Sequence, residues 1–266
     1  MNKQPNKFKY YQYSKQVFIL DETEIVTENP VSLSVNGIEW LTFMCTPTEL
    51  EELGAGFLFN EGIINSFKEI ESIQLCHSGA NIDIWLNKDA KKPKNWYRTS
   101  GCTGGVSSIN FDEINIEYKS TNRVRGILKP EQVNGLVEML FKSQKLYRKY
   151  GGVHTSALCF SNKVMVSKED IGRHNTLDKI AGYCVLNELE MSGGLIVTTG
   201  RISSEMIQKC IRMGVNTVIS RTSPSSLSIQ LAKKFDITLI GYARRNQFRI
   251  YANEVGIDFG SFTEKL

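Results

Sequence analysis

Two short apolar runs, each followed by a small polar loop and a helix-like segment, constrain the fold of this chain most. GGLIVTTG (residues 193–200) and NTVISRT (216–222) are the runs, and such runs are typical of strands buried on both faces of a parallel sheet. SSEMIQKCIRMG (203–214) and PSSLSIQLAKKF (224–235) follow them with helical periodicity. Strands that alternate with helices predict an α/β fold, here a three-layer α/β sheet with mostly parallel strands.

The first half of the chain has a different pattern. VSLSVNGIEWLTFMCT (31–46) alternates apolar and polar residues around Asn36-Gly37, which predicts a β-hairpin. TELEELGAGFLFNEGII (48–64) predicts a helix with Thr48 as its N-cap. We therefore divide the chain into a smaller α+β domain, residues 1–120, and a larger α/β domain, residues 121–266.

Charge and hydropathy exclude several classes of protein. The chain has 32 basic and 28 acidic residues, a net charge of +4. This balance favours an anionic ligand but falls short of a nucleic-acid-binding protein. No stretch approaches the roughly 20 apolar residues that cross a bilayer, and the polar first residues do not form a signal peptide. We expect a cytoplasmic protein without nucleic-acid or membrane partners.

The six cysteines are scattered, and no pair has the C-x-x-C spacing of a zinc site, so we expect no bound metal. Cys159, Cys184 and Cys210 lie among apolar residues and are predicted to be buried. Cys102 lies instead in RTSGCTGG, where glycines flank it and basic residues precede it. A nearby positive charge lowers a thiol pKa, so Cys102 is the predicted nucleophile. An incidental exposed cysteine and a generic thiol catalyst are the alternatives, although no His or Asp is locally placed to activate it.

Four loops of the second half are predicted to meet at one sheet edge, because ligands of α/β sheets bind outside the carboxyl ends of the strands. They contribute the following polar residues: Gly172, Arg173, His174 and Asn175; Arg201, Ser203 and Ser204; Arg221; and Arg244, Arg245, Asn246 and Gln247. Such a set fits a ligand with phosphates and a hydrogen-bonding heterocycle. His154 and His174 lie in polar turns, and either a structural or a proton-transfer role stays open for both.

Several stretches resemble the formate dehydrogenase accessory sulfurtransferase family, FdhD/NarQ. The resemblance covers roughly residues 20 to 255. The matching stretches are TPTELEELGAGFLFNEGII, GGVHTSAL, EDIGRHNTLDKIAGY, TTGRISSEMIQKCIRMGV, TSPSSLSIQLAKKF and LIGYARRNQFRIY. The resemblance implies a cytidine-deaminase-like fold for the second half. The H-x-E and P-C-x-x-C motifs of the zinc deaminases are missing, so deamination is excluded.

The resemblance also implies a function and a site. A cysteine desulfurase would supply persulfide sulfur, and formate dehydrogenase would be the client that needs the sulfurated cofactor, a molybdenum bis(molybdopterin guanine dinucleotide). Cys102 corresponds to the persulfide-bearing cysteine of the family. The family's stretch for binding the cofactor and its guanine nucleotide corresponds to Tyr242, Ala243, Arg244, Arg245, Asn246 and Gln247. A homodimer is expected.

One departure from the family keeps a second function open. Many members carry two cysteines in this loop, whereas this chain has Cys102 alone. A single persulfide suffices chemically for a sulfurtransferase, which is our first hypothesis. The alternative is a non-catalytic chaperone that binds the molybdenum cofactor for formate dehydrogenase. A nucleotide-metabolising enzyme on the same fold is a more distant third.

Overall fold

The computed structural model describes residues 7–76, 79–93, 97–98, 106–107 and 128–260. The elements of the first half are β1 (Lys7–Ser14), β2 (Val17–Glu24), β3 (Asn29–Val35), β4 (Ile38–Cys45), α1 (Leu50–Asn60), β5 (Ile70–Leu75), β6 (Asn81–Leu86), β7 (Tyr97–Arg98) and β8 (Val106–Ser107). Those of the second half are α2 (Pro130–Ser143), α3 (Leu146–Tyr150), β9 (His154–Phe160), β10 (Lys163–Asp170), α4 (Arg173–Leu186), β11 (Leu195–Thr198), α5 (Ser204–Arg212), β12 (Thr217–Ser220), α6 (Ser226–Lys234), β13 (Thr238–Arg244) and β14 (Gln247–Ala252).

A six-stranded sheet with the order β10-β9-β11-β12-β13-β14 organises the second half. Four of the six strands, β10, β11, β12 and β13, run in the same direction, as expected of a sheet with mostly parallel strands, and β9 and β14 run in the opposite direction. The pairs β9–β10 and β13–β14 are antiparallel because they are joined by two-residue turns, Ser161-Asn162 and Arg245-Asn246. All four turn residues have positive φ, as tight hairpins require.

Helices cover both faces of this sheet. Along α2, Val133, Leu136, Val137 and Leu140 form the apolar stripe of an amphipathic helix and pack on one face. The other face packs against α4, α5 and α6. Neighbouring residues of β9 alternate between the two apolar clusters, as a strand with both faces buried must. The second half therefore has three layers.

A four-stranded sheet with the order β4-β3-β6-β5 packs with α1 in the first half. The predicted hairpin at Asn36-Gly37 is confirmed, with positive φ at both residues. The predicted N-cap is wrong: α1 begins at Leu50, and the capping position is Glu49, at φ 55° and without a side-chain cap. Thr48 lies in the preceding turn, where its N–H donates to the carbonyl of Thr46 at 2.8 Å.

The two halves are joined by the contact between α1 and α4. A Cβ at Gly56 would lie 1.8 Å from the carbonyl oxygen of Asp178, and one at Gly182 would lie 1.8 Å from that of Glu52. One apolar cluster runs through both halves without a break. The boundary at residues 120 and 121 lies outside the described residues, so the division into two domains stays a prediction.

The β1–β2 hairpin, here called the arm (residues 7–24), forms a two-stranded sheet of its own. Its residues are exposed, except for Ser14 and Glu24, which are half-buried. The polar and aromatic sequence of this stretch did not predict the hairpin. Within the described residues, none of the helices has the length and apolar character that a membrane span needs.

Candidate functional site

The polar loops that follow the strands of the large sheet lie together at one edge. The N–H of Arg221 donates to the carbonyl of Thr198 at 3.2 Å, which links the loops after β11 and β12. The N–H of Tyr242 donates to Thr222 at 3.0 Å, which links the loop after β12 to the end of β13. The start of β9 and the end of β10 reach the same edge because these strands run antiparallel to their neighbours. The predicted meeting of the loops is confirmed.

His174 lies in the first turn of α4, buried beside the start of α5. Its Nε2 is 3.1 Å from Ser203 Oγ and 3.3 Å from Glu205 Oε2, and the Ser203 hydroxyl donates to the same carboxylate at 2.7 Å. Burial lowers the pKa of His174, and the charge of Arg173 lowers it further, although Glu205 opposes both. The hydrogen bonds of His174 fix the orientation of its ring, and the lowered pKa favours the neutral form.

His154 lies at the first position of β9, on the same edge. Its Nδ1 is 3.3 Å from Thr199 Oγ1, in the loop after β11. Burial lowers the pKa of His154, and the nearby cations Arg173 and Arg201 lower it further. Two histidines with lowered pKa values thus share a cationic edge, an arrangement that can accept a proton and attract an anion.

Asp170 and Lys179 hold the N-terminus of α4 in place beneath this edge. Lys179 Nζ is 2.7 Å from Asp170 Oδ2, and both side chains are fully buried. Asp170 also accepts hydrogen bonds from the N–H of Gly172 at 2.8 Å, from Asn175 Nδ2 at 2.8 Å and from the N–H of Thr46 at 3.1 Å. Through the hydrogen bond to its Oδ2, Asp170 connects the start of α4 to Thr46 in the first half of the chain. Asn175 and Lys179 therefore support the site from beneath.

A cavity of about 560 Å³, here called the arginine pocket, opens between α2 and the β13–β14 turn. It is lined by Asn134, Val137, Glu138, Phe141, Arg221, Arg244, Arg245, Asn246 and Gln247. The guanidinium of Arg221 lies 4.5 Å from the centre of the Phe141 ring, a cation–π contact that holds it against α2. Three arginines and three amide side chains give the pocket many donors for an anionic, heterocyclic ligand.

Of the six residues predicted to bind the cofactor, four line the arginine pocket and two do not. Arg244, Arg245, Asn246 and Gln247 are exposed and line the arginine pocket. Ala243 is fully buried in the core beneath α2, so only its backbone could contact a ligand. Tyr242 is half-buried, at φ 53°, with the guanidinium of Arg249 4.5 Å from the centre of its ring.

Residues from α2 are the part of the pocket that the sequence analysis missed. Asn134, Glu138 and Phe141 have the spacing i, i+4 and i+7, which places them on one helix face. That spacing was the available signal, but it does not say which part of the sheet the face would meet. Glu205 was missed as well, although it lies in the GRISSE string.

The cysteines are placed as follows. Cys159, Cys184 and Cys210 are buried as predicted, and burial raises the pKa of each thiol to about 12. Cys76 is exposed, and its Sγ accepts the N–H of Asn81 at 3.1 Å. Cys102 and His77 lie outside the described residues. Among the residues that the structure describes, no three His, Cys, Asp or Glu side chains are grouped to hold a metal ion.

Comparisons with known proteins agree with the resemblance. The model of the FdhD/NarQ family matches residues 26–258. The sulfur carrier protein FdhD of Bacillus licheniformis is 36% identical over 253 residues, with 94% of this chain and 96% of the relative covered. FdhD of Staphylococcus haemolyticus is 33% identical, with 91% and 92% covered. A crystal structure assigned to a formate dehydrogenase accessory protein of Desulfotalea psychrophila has 26% identity and a TM-score of 0.74, with 95% and 99% covered.

Proposed function

Since this chain belongs to the FdhD/NarQ family, we propose that it is a sulfurtransferase that serves formate dehydrogenase. Cys102 receives persulfide sulfur from a cysteine desulfurase. The sulfur then goes to the molybdenum cofactor, a bis(molybdopterin guanine dinucleotide), which binds to this chain as a substrate. The names of the curated relatives and of the solved homologue support this proposal, because they describe a sulfur carrier and a formate dehydrogenase accessory protein.

The arginine pocket is the observation on which the binding half of the proposal depends. Its volume of about 560 Å³ is within the range of small-molecule sites, and its arginines can bind phosphate with paired hydrogen bonds. We assign the guanine nucleotide part of the cofactor to this pocket, in contact with Arg244, Arg245, Asn246 and Gln247 and with the backbone of Tyr242 and Ala243. We also assign the three layers of the second half to the cytidine-deaminase-like fold.

Loading of Cys102 is a thiol–persulfide exchange. The Cys102 thiolate attacks the terminal sulfur of the desulfurase persulfide, the donor's S–S bond breaks, and the donor cysteine leaves as a thiolate. One persulfide is lost and one is formed, so no oxidant or reductant is needed. Cys45, Cys159, Cys184 and Cys210 are unsuited to this step, because a buried thiol with a pKa of about 12 is protonated at neutral pH.

Mass spectrometry after incubation with a desulfurase and cysteine tests the loading step. We expect one additional sulfur atom on Cys102 in the wild-type protein and none on that peptide in Cys102→Ala. Cys76→Ala is the matched control, because Cys76 is also exposed, and it should load normally. A wild-type protein without the adduct would contradict the proposal. Full activation of formate dehydrogenase by Cys102→Ala would favour the non-catalytic chaperone instead.

Nucleotide binding tests the arginine pocket separately. We expect Arg244→Ala combined with Arg245→Ala to weaken GDP binding at least tenfold, because two phosphate-binding side chains are lost. Lys233→Ala combined with Lys234→Ala removes the same charge from the exposed end of α6 and should leave GDP affinity unchanged. Equal losses in the two double variants would show that net charge, and not the pocket, binds the nucleotide.

A further inference from the structure

The arginine pocket contains one side chain that the binding of phosphate does not explain. Glu138 lines the pocket together with Arg221, Arg244 and Arg245. A carboxylate repels the phosphate groups that the arginines attract, so it would weaken a site that bound phosphate alone. The presence of Glu138 in this pocket therefore needs another explanation.

Glu138 does not neutralise the arginines. Within the described ranges of the chain, its carboxylate forms no hydrogen bond and no ion pair, and its side chain is exposed on α2. The guanidinium of Arg221 lies against the Phe141 ring, and its Nε is buried without a hydrogen-bond partner among the described residues. The pocket therefore contains an acceptor and a donor that no protein group satisfies, as expected of a site that a ligand completes.

The pocket has two chemically different walls. The wall formed by α2 contains Asn134, Glu138 and Phe141, which supply an amide, a carboxylate and an aromatic ring. The wall formed by the β13–β14 turn contains Arg244 and Arg245. A nucleoside diphosphate is divided in the same way, because its base is planar and uncharged and its phosphates are anionic. The base therefore fits the α2 wall, and the phosphates fit the turn.

We propose that Glu138 is the specificity-determining residue of the arginine pocket, and that its two carboxylate oxygens accept the N1–H and N2–H groups of guanine. This role rests on the proposed function, which brings a guanine nucleotide to the pocket. An ionised carboxylate only accepts hydrogen bonds, and it can accept two parallel N–H donors at once, as it does from arginine. Guanine presents such a pair of donors beside its O6 acceptor. Asn134 lies one turn before Glu138 on the same helix face, where its amide can donate to O6.

The same carboxylate discriminates against other purines. Hypoxanthine, the base of inosine, has N1–H but lacks the 2-amino group, so one carboxylate oxygen would lose its donor. Adenine presents an unprotonated N1 at this edge, so two acceptors would face each other. A site rejects an analogue that leaves its polar groups without partners. The expected order of affinity is GDP, then IDP, then ADP.

The ratio of the GDP and IDP affinities in wild type and in Glu138→Gln tests the role of Glu138. Both ligands carry the same ribose and phosphates, so a general effect of charge cancels in the ratio. In titration calorimetry on the full chain, we expect wild type to bind GDP at least about tenfold more tightly than IDP, which is the effect of one charge-assisted hydrogen bond. In Glu138→Gln the ratio should fall to about one, because glutamine has a single carbonyl oxygen, which the N1–H of either base would occupy.

Glu131→Gln is the matched control. Glu131 is an exposed acidic residue in the first turn of the same helix, and it is not among the residues that line the pocket. Its substitution removes the same charge from α2 and should leave the ratio of GDP to IDP affinity at the wild-type value. Both glutamates are exposed, so both variants should fold as the wild type does.

Two results would overturn the proposal and leave the proposed function standing. Equal affinity of the wild type for GDP and IDP would mean that the pocket does not recognise the 2-amino group. A preference for GDP that persisted in Glu138→Gln would mean that another group recognises it. A wild-type protein that bound none of the three nucleotides would contradict the assignment of the pocket itself, and with it the role of Glu138. Sulfur loading of Cys102 is measured independently of all three outcomes.

Discussion

The crossing of α1 over α4 depends on two glycines, and substitution of Gly56 by alanine tests this dependence. The new Cβ would lie 1.8 Å from the carbonyl oxygen of Asp178 and 2.5 Å from the amide nitrogen of Gly182. Both neighbours are backbone atoms, so a change of rotamer cannot relieve the contact. The helices must move apart by more than an ångström, which also disturbs Asp178, whose carboxylate accepts from Lys209 at 2.5 Å and from Asn60 at 2.7 Å.

The expected loss of stability follows from two opposing terms. Overpacking of a tight interior costs typically about 1–3 kcal/mol, and the backbone contacts place Gly56→Ala at the upper end. Alanine in place of glycine stabilises a helix by about 1 kcal/mol through its higher helix propensity. The net loss in the free energy of unfolding is therefore about 2 kcal/mol. For a chain of this size, the melting temperature should fall by roughly 4–8 °C.

Calorimetry on Gly56→Ala and Gly135→Ala separates these terms. Gly135 lies inside α2, and nothing lies within 4 Å of a Cβ built there. Gly135→Ala should therefore show only the gain in helix propensity and raise the melting temperature. If Gly56→Ala were as stable as Gly135→Ala, the close crossing of α1 and α4 would be refuted.

Two further predictions concern buried charges. Lys179→Met leaves Asp170 buried without its cation and should cost about 3–5 kcal/mol in urea unfolding. Combining it with Asp170→Asn should cost less than the sum of the two single changes, and Lys149→Met, at an exposed ion pair, should have no measurable effect. Burial lowers the pKa values of His154 and His174 in the folded chain below the ordinary histidine value of about 6.5, so the unfolded chain binds more protons just below pH 6.5. Stability should therefore fall as the pH drops from about 7.5 through 6.5, and the decline should be shallower in His154→Gln; an unchanged slope in that variant would contradict the lowered pKa.

Local signals in the sequence predicted much of the fold. Asn36-Gly37 identified its hairpin because both residues accept positive φ, and the apolar runs identified β11 and β12 because both faces of these strands are buried. The reversed direction of β14 was not predicted, since it depends on the two-residue turn Arg245-Asn246, which looks like an ordinary polar loop in the sequence. The arm was not predicted, because the aromatic residues of β1 are interspersed with lysine and glutamine and because the arm contributes no residue to the core.

The candidate site was predictable where one loop contains its residues. The stretch from Arg244 to Gln247 lines the pocket as a unit, since a hairpin turn presents all four side chains. The opposite wall was not predictable, because α2 precedes that turn by about a hundred residues and its position depends on packing across the sheet. Asn175, the asparagine of the GRHN motif, was placed among possible ligand contacts, whereas in the structure its amide donates to Asp170 and to the distant carbonyl of Met44.

The described part of the chain contains the proposed docking surface of a sulfur carrier, and four of its five cysteines are unsuited to carry the sulfur. The sheet edge of this surface is held in place because Asp170 ties the start of α4 to Thr46 in the first half. The arginine pocket, which we propose as the cofactor site, is lined by three arginines. Cys45, Cys159, Cys184 and Cys210 are buried and remain protonated at neutral pH. The thiol of a carrier must react first with the sulfur donor and then with the docked acceptor. None of these four buried thiols can do so. The resemblance of its sequence segment to that of the family leads us to propose Cys102, rather than the exposed Cys76, as the sulfur carrier. Cys102→Ala should therefore abolish sulfur loading while leaving GDP affinity unchanged.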